Sequence, residues 1–173
     1  MSNIAEVKPF DIANGRGIGV SVFFSGCEFH CHGCFNEVAW DFNYGVSFDR
    51  EFYETKIKPY VNKHISHLSI LGGEPMHPRN VLATLELVKW FKQDFPDKTI
   101  WLWSGYTFDE LLSVKDNVIL EINKEVLNTI DILVDGRFVE EKKDLTLKWK
   151  GSSNQRVIDI KKTLKEEKVV LYE

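Results

Sequence analysis

Four short apolar runs recur along the chain, and each stops at a small, glycine-bearing turn. "VSVFF" runs into "SGC", "LSIL" into "GGEP", "TIWLW" into "SGY" and "DILV" into "DGR". Runs of this kind, rich in Val, Ile, Phe and Trp and ended by glycine, predict buried strands. In "TIWLW", Ile100 and Leu102 project one way and Trp101 and Trp103 the other, so both faces are apolar. That is the pattern of a parallel strand covered on both sides. Between the runs the period changes. Phe48, Phe52, Ile57, Tyr60 and Val61 recur at near-helical spacing before the second run. Val81, Leu82, Leu85, Val88, Phe91 and Phe95 do so before the third, with Pro78 placed near that helix's start. Residues 107–114 and 123–130 predict shorter helices before the fourth. After Asp144 the pattern weakens to a further strand at 157–160, a charged turn or helix at 161–168, and a closing "VVLY".

This alternation predicts an α/β fold built on parallel strands with right-handed crossovers. A closed eightfold barrel takes about 250 residues, so 173 residues predict a partial (β/α) barrel. No linker or low-complexity tract interrupts the chain, and residues 1–173 are read as a single domain. In parallel α/β architectures ligands bind at the carboxyl ends of the strands. All four glycine-bearing turns fall at such ends and would converge on one rim.

Composition narrows the function classes. A formal net charge of −4 does not suit a nucleic-acid surface, which carries a basic stripe. No apolar run approaches the ~18 residues of a membrane span. "MSNIAEVKPF" lacks a basic segment followed by an apolar run, so it does not read as a secretory signal. The expected compartment is the cytosol, where thiols stay reduced.

The chain has three cysteines, Cys27, Cys31 and Cys34, all within "SGCEFHCHGC" in a C-x3-C-x2-C spacing. An odd, crowded set points to metal chemistry rather than to disulfides. Two readings of the spacing stand side by side. Zinc would be closed tetrahedrally by His30 or His32, giving an interaction module. A 4Fe–4S cluster would be held on three irons, with the fourth open to an exogenous ligand.

C-x3-C-x2-C after a first strand, followed by G-G-E-P after the second, resembles the radical S-adenosylmethionine superfamily. Within it, "FFSGCEFHCHGCFNEVAWDF", "LGGEPMHP", "IWLWSGYTFDEL", "VDGRF" and "WKGSSNQRVID" resemble the activating proteins of the anaerobic ribonucleoside-triphosphate reductase. The likeness runs from about Asp11 to Asp159. It implies one 4Fe–4S cluster on Cys27, Cys31 and Cys34, with S-adenosylmethionine chelating the open iron through its amino and carboxylate groups. Cleavage to methionine and a 5′-deoxyadenosyl radical would then install a glycyl radical on the reductase. No side chain of this chain is expected to act as acid or base. A flavodoxin-like protein would supply the electron. A pyruvate formate-lyase type activase or a small-molecule synthase shares the cluster and "GGEP" and differs in the distal motifs.

The resemblance also implies site residues. Gly72, Gly73 and Glu74 would receive the methionyl amino group: glycines allow close backbone approach, and a carboxylate accepts from an ammonium in a charge-assisted bond. The backbone near Gly33 would contact adenine, and Phe35 beside it reads equally as core. Ser104 could touch a ribose hydroxyl, and Asp135 and Arg137 could face ligand or partner; local loop and cap roles fit each of them as well. Arg156 could bind a carboxylate or a helix end. His64, His67 and His77 read as surface or helix-flanking residues. Tyr106 and Trp149 are candidates for shielding the radical. Members of the family often read Gly-Pro-Gly, an apolar residue and then arginine before the first strand. This chain reads "NGRGIGV", with Arg16 in the proline position and Gly19 where the arginine would fall.

Overall fold

The computed structural model describes residues 1–173. The four predicted strands form and lie side by side in chain order: β2 (Gly19–Phe24), β4 (His67–Gly72), β5 (Thr99–Ser104) and β6 (Ile132–Asp135). Each is parallel to the next. Antiparallel strands extend this centre: β1 (Asn3–Asp11) pairs with β2, the short β3 (Val46–Ser47) with β1, and β7 (Arg156–Asp159) with β6. The result is one mixed seven-stranded sheet, ordered β3-β1-β2-β4-β5-β6-β7. β1 carries no apolar run because it lies near the edge. Its side chains alternate in exposure, and only Asn3 and Ile4 reach β3. Two register breaks along β1 make its free edge a poor template for another strand.

The helices follow the predicted pattern with two departures. α2 (Val81–Asp94) and α3 (Phe108–Leu112) lie where expected, the latter opened by a capping box between Thr107 and Glu110. α4 (Asn117–Thr129) begins at Asn117 rather than at 123, because the Asp116 carboxylate accepts from the N–H groups of Val118 and Ile119. α5 (Ile160–Glu166) is capped by Asp159. The apolar spacing over residues 48–61 does not yield one regular helix. α1 (Arg50–Phe52) passes into a π turn at Tyr53–Ile57 and a 3₁₀ turn at Lys58–Tyr60. Pro59 has no N–H to continue an α ladder there. No helix is long and apolar enough to cross a membrane.

All five helices cover one face of the sheet. Val22, Leu68, Ile70, Leu102 and Leu133 meet Val81, Val88, Phe91, Val126 and Ile160 in a core of 26 buried residues. The opposite face holds a core of only four, Trp101, Ile132, Val134 and Val157, joined by Trp103, Trp149 and Tyr172. No helical residue contributes to it, which leaves that face open to build a site. The two sides of "TIWLW" are divided as its sequence predicts.

One histidine corrects the sequence reading: His67 is fully buried on the helix-free face. His77 is buried too, but it flanks α2 as expected, its carbonyl accepting from Val81 N–H. His64 is exposed. His67 escapes the penalty for burying a polar ring because both nitrogens have partners. Nε2 lies 2.7 Å from the Asn14 carbonyl and Nδ1 lies 2.9 Å from Ser66 Oγ.

Candidate functional site

A cleft of about 460 Å³ opens at the carboxyl ends of the parallel strands. Cys27, Cys31, Cys34, Gly33, Gly72, Gly73, Glu74 and Ser104 all line it. Gly136 and Arg137, from the turn after β6, line it too, so residues from four separate turns meet in one place, as the strand-end rule predicts.

The cysteine loop is held by its own backbone and by the turn after β4. Gly26 N–H donates to Ala39 O at 2.7 Å and Cys27 N–H to Trp40 O at 3.1 Å. Glu28, between the first two cysteines, lies 3.2 Å from His77 Nε2. His77 Nδ1 accepts from Arg79 N–H, so Nε2 is the nitrogen that donates to Glu28. Burial pushes the Cys27 thiol up to about 11, although the N–H groups of Phe29 and His30 favour the thiolate. Burial also raises Cys31, opposed by the Phe138 N–H and by nearby Arg137. Cys34 Sγ accepts from Asn36 N–H at 3.5 Å.

Gly72 and Gly73 approach protein backbone rather than leaving open space. Gly72 has φ +112°, and a Cβ there would fall 2.6 Å from Phe24 N and O. One on Gly73 would fall 2.6 Å from Gly26 O and 2.8 Å from Ala39 O. Gly73 N–H donates to Phe24 O and Glu74 N–H to Gly26 O, at 2.7 and 2.8 Å. The "GGE" backbone is thus stitched to the segment that leads into Cys27.

Glu74 is 1% exposed. Its Oε1 accepts from Met76 N–H and from Ser104 Oγ–H, each at 2.8 Å, and its Oε2 accepts from Gly105 N–H at 2.7 Å. Burial pushes the carboxyl up to about 7, with those three donors and Arg137 acting in the opposite direction. Ser104 gives its proton to Glu74 and accepts from Tyr106 N–H at 3.1 Å.

Of the residues left open by the sequence, Arg137 lines the cleft and Asp135 does not. The Arg137 guanidinium sits 4.4 Å from the Phe29 ring centroid and 3.1 Å from Glu110. Asp135 is 1% exposed and accepts from Phe108 N–H and from both Nε and Nη2 of Arg156. Asp135 and Arg156 therefore bind each other. Phe35 is 82% exposed, which excludes the core reading. Of the two candidates for shielding, Trp149 lines the cleft and Tyr106 does not; Phe29, Trp103 and Gly105 line it without having been singled out. Gly105 in "WSGY" was the available signal: a Cβ there would meet the Phe29 ring at 2.5 Å.

The cleft floor comes from the turn between β1 and β2. Ala13 and Asn14 line it, and the Asn14 carbonyl accepts from Ser69 Oγ–H as well as from His67. A Cβ on Gly19 would fall 2.2 Å from His67 Nε2. His67 therefore fills the space beside Gly19, the position where the resembled family often has arginine.

No three His, Cys, Asp or Glu side chains are gathered closely enough to share one ion. His30 stacks instead on Trp40, with ring centroids 4.4 Å apart. This disfavours a zinc knuckle closed by His30 or His32, which needs ligands converging on a point. A four-iron cube takes each thiolate on a different iron, so its donors ring a volume. Three thiols around one cleft, that of Cys34 met by the Asn36 N–H, fit that demand.

Residues 13–158 match the family model described as "4Fe-4S single cluster domain". The chain is 39% identical over 155 residues to a protein of Vibrio cholerae, covering 88% of this chain and 95% of that one. It is 38% identical over 157 residues to one of Escherichia coli strain K12, covering 90% and 97%. A protein of Enterobacteria phage T4 is 33% identical over 157 residues, covering 90% and 92%. All three are named "Anaerobic ribonucleoside-triphosphate reductase-activating protein".

Proposed function

The chain belongs to the family of anaerobic ribonucleoside-triphosphate reductase-activating proteins and carries a 4Fe–4S single cluster domain, and we propose that it activates that reductase as a radical S-adenosylmethionine enzyme. The single observation that carries this reading is the meeting of three thiols, "GGE" and Ser104 in one cleft. When bound, a 4Fe–4S cluster would supply the electron for reductive cleavage of S-adenosylmethionine, and so the radical chemistry that would remove a hydrogen atom from a reductase glycine.

The chain's own residues bind, orient and exclude water. Cys27, Cys31 and Cys34 would hold the cluster. Gly72 and Gly73 fix the turn that faces the methionyl amino group, and Glu74 sets the relation between that turn and the end of β5. Gly33 and Ser104 border the nucleoside. Arg137, the one cation packed on an aromatic ring at the cleft, favours anionic groups there. Apolar Phe29, Trp103 and Trp149 limit solvent access, which strengthens every charge interaction inside. No side chain is required as an acid or base.

The site lies in what we read as a partial radical S-adenosylmethionine barrel, residues 1–173 forming its one domain. Helices covering a single face support that reading. The proposed partners are the reductase and a flavodoxin-like reductant, in the cytosol, where thiols stay reduced. The test is anaerobic incubation of the reconstituted protein with reductant, S-adenosylmethionine and candidate acceptors. A glycyl signal by electron paramagnetic resonance with the anaerobic reductase is expected. Signal only with a different glycyl-radical enzyme would reassign the activase.

A further inference from the structure

Trp149 adopts a backbone conformation that bulky residues rarely take, with φ at +64°. Such outliers persist where the surroundings over-determine them, and here they do. The indole Nε1–H donates to Gly15 O at 2.9 Å, while the Trp149 carbonyl accepts from Trp103 Nε1–H at 2.7 Å. The ring packs on Trp101 and on Tyr172, at centroid distances of 5.1 and 5.7 Å. One residue thus joins the β1–β2 turn, β5 and the end of the chain.

The residues around it have no such ties. Between β6 and β7 the chain forms one wall of the cleft through Phe138, Lys143, Leu145, Leu147 and Trp149. "GSSNQR" staples the base of this wall. Gln155 Oε1 accepts from the N–H groups of Gly151 and Ser152, and Asn154 Nδ2–H donates to Arg137 O. Farther out, the hydrogen bonds of residues 144–150 stay within the wall, except for the two on Trp149. Leu145, near the tip, is 91% exposed. Near its base the wall also touches the cysteine loop, where Glu140 lies against Gly33; beyond Glu140, Trp149 is the one residue whose hydrogen bonds leave this strap.

We propose that Trp149 is the positioning residue of this wall: pinned to Gly15 and Trp103, it holds the strap over the cleft and keeps small solutes from the reacting centre. The proposal rests on the radical reading given above. A solution thiol that reaches the 5′-deoxyadenosyl radical gives it a hydrogen atom, forming 5′-deoxyadenosine and a thiyl radical. That turnover cleaves cosubstrate without installing a glycyl radical. A loosened strap therefore uncouples the two events.

Two variants test this. Trp149→Phe keeps an aromatic ring and removes the indole N–H, and Trp103→Phe removes the other bond. On protein without cluster or cosubstrate, amide hydrogen exchange across residues 139–151 is expected to rise about two- to tenfold in each, the usual worth of one hydrogen bond. Exchange in β2 and β4 stays at the wild-type rate. In the loaded protein with reductase and dithiothreitol, cosubstrate cleaved per glycyl radical formed rises by a similar factor, a ratio that a merely structural role would not move. Should Trp149→Phe fail to fold, Trp103→Phe carries both measurements. Unchanged exchange overturns the pinning, and raised exchange with an unchanged ratio overturns its link to the reaction. A wild-type protein that makes no glycyl radical sinks the radical reading instead, and the exchange measurement still judges the pin.

Discussion

Gly105, just beyond β5, donates its backbone N–H to the carboxylate of Glu74, just beyond β4, over 2.7 Å. With Ser104 and Met76 as further donors, this carboxylate ties two strand ends together at the cleft. Burial nevertheless raises its pKa to about 7 from an ordinary 4.5. A native state that holds the proton more tightly than the unfolded chain gains stability below the unfolded pKa. It loses that stability as pH rises through the folded pKa. Urea unfolding of the cluster-free protein should therefore show wild type losing about 2–3 kcal/mol more than Glu74→Gln between about pH 5 and pH 8. Parallel pH profiles would show that Glu74 titrates normally.

Serine at Cys27, Cys31 or Cys34 removes a soft ligand while conserving shape. Each variant should retain iron at least about tenfold less well than wild type after reconstitution and desalting. Its thermal midpoint without iron should stay near that of wild type. Equal losses from His30→Ala or His32→Ala would revive a histidine ligand.

Gly73→Ala places a methyl group against the carbonyls of Gly26 and Ala39, at 2.6 and 2.8 Å. Backbone cannot rotate aside as a side chain can, so a cost of about 1–3 kcal/mol is expected in urea unfolding. Because the displaced atoms lead into Cys27, iron retention should fall with stability. A variant that is stable and fully loaded would mean that this turn yields more than its hydrogen bonds suggest.

Much of this site was legible because its signals are local. The four parallel strands announce themselves through unbroken apolar runs, and their glycine turns all fall at the cleft. What escaped depends on pairs distant in sequence. β1 hides because alternating exposure in "NIAEVKPFD" makes no run. His67 looks like a surface residue until the Asn14 carbonyl, more than fifty positions away, is seen to accept its proton. The close approach that explains Gly72 and Gly73 is to protein backbone, which spacing cannot reveal. Pro59 was visible, yet the apolar period around it outweighed the break it imposes.

Gly19 and His67 offer a test of such a distant pair. Gly19→Ala puts a Cβ 2.2 Å from the imidazole, so one of them must move. In a His67→Ala background that contact is absent. The double-mutant cycle, read by urea unfolding, should give a coupling of about 0.5–3 kcal/mol, with Gly19→Ala costing less when His67 is absent. Additive effects would mean that the two side-chain positions do not compete.

The decisive measurement concerns the iron that the proposed ligation leaves without a cysteine. Electron–nuclear double resonance on the reduced cluster, with S-adenosylmethionine labelled at its amino nitrogen and carboxylate oxygens, reports directly on what binds there. Hyperfine coupling to both labels is the expected result. Coupling to neither, together with a protein-derived fourth ligand in the fully loaded protein, would contradict the assignment of three thiolates and an open corner.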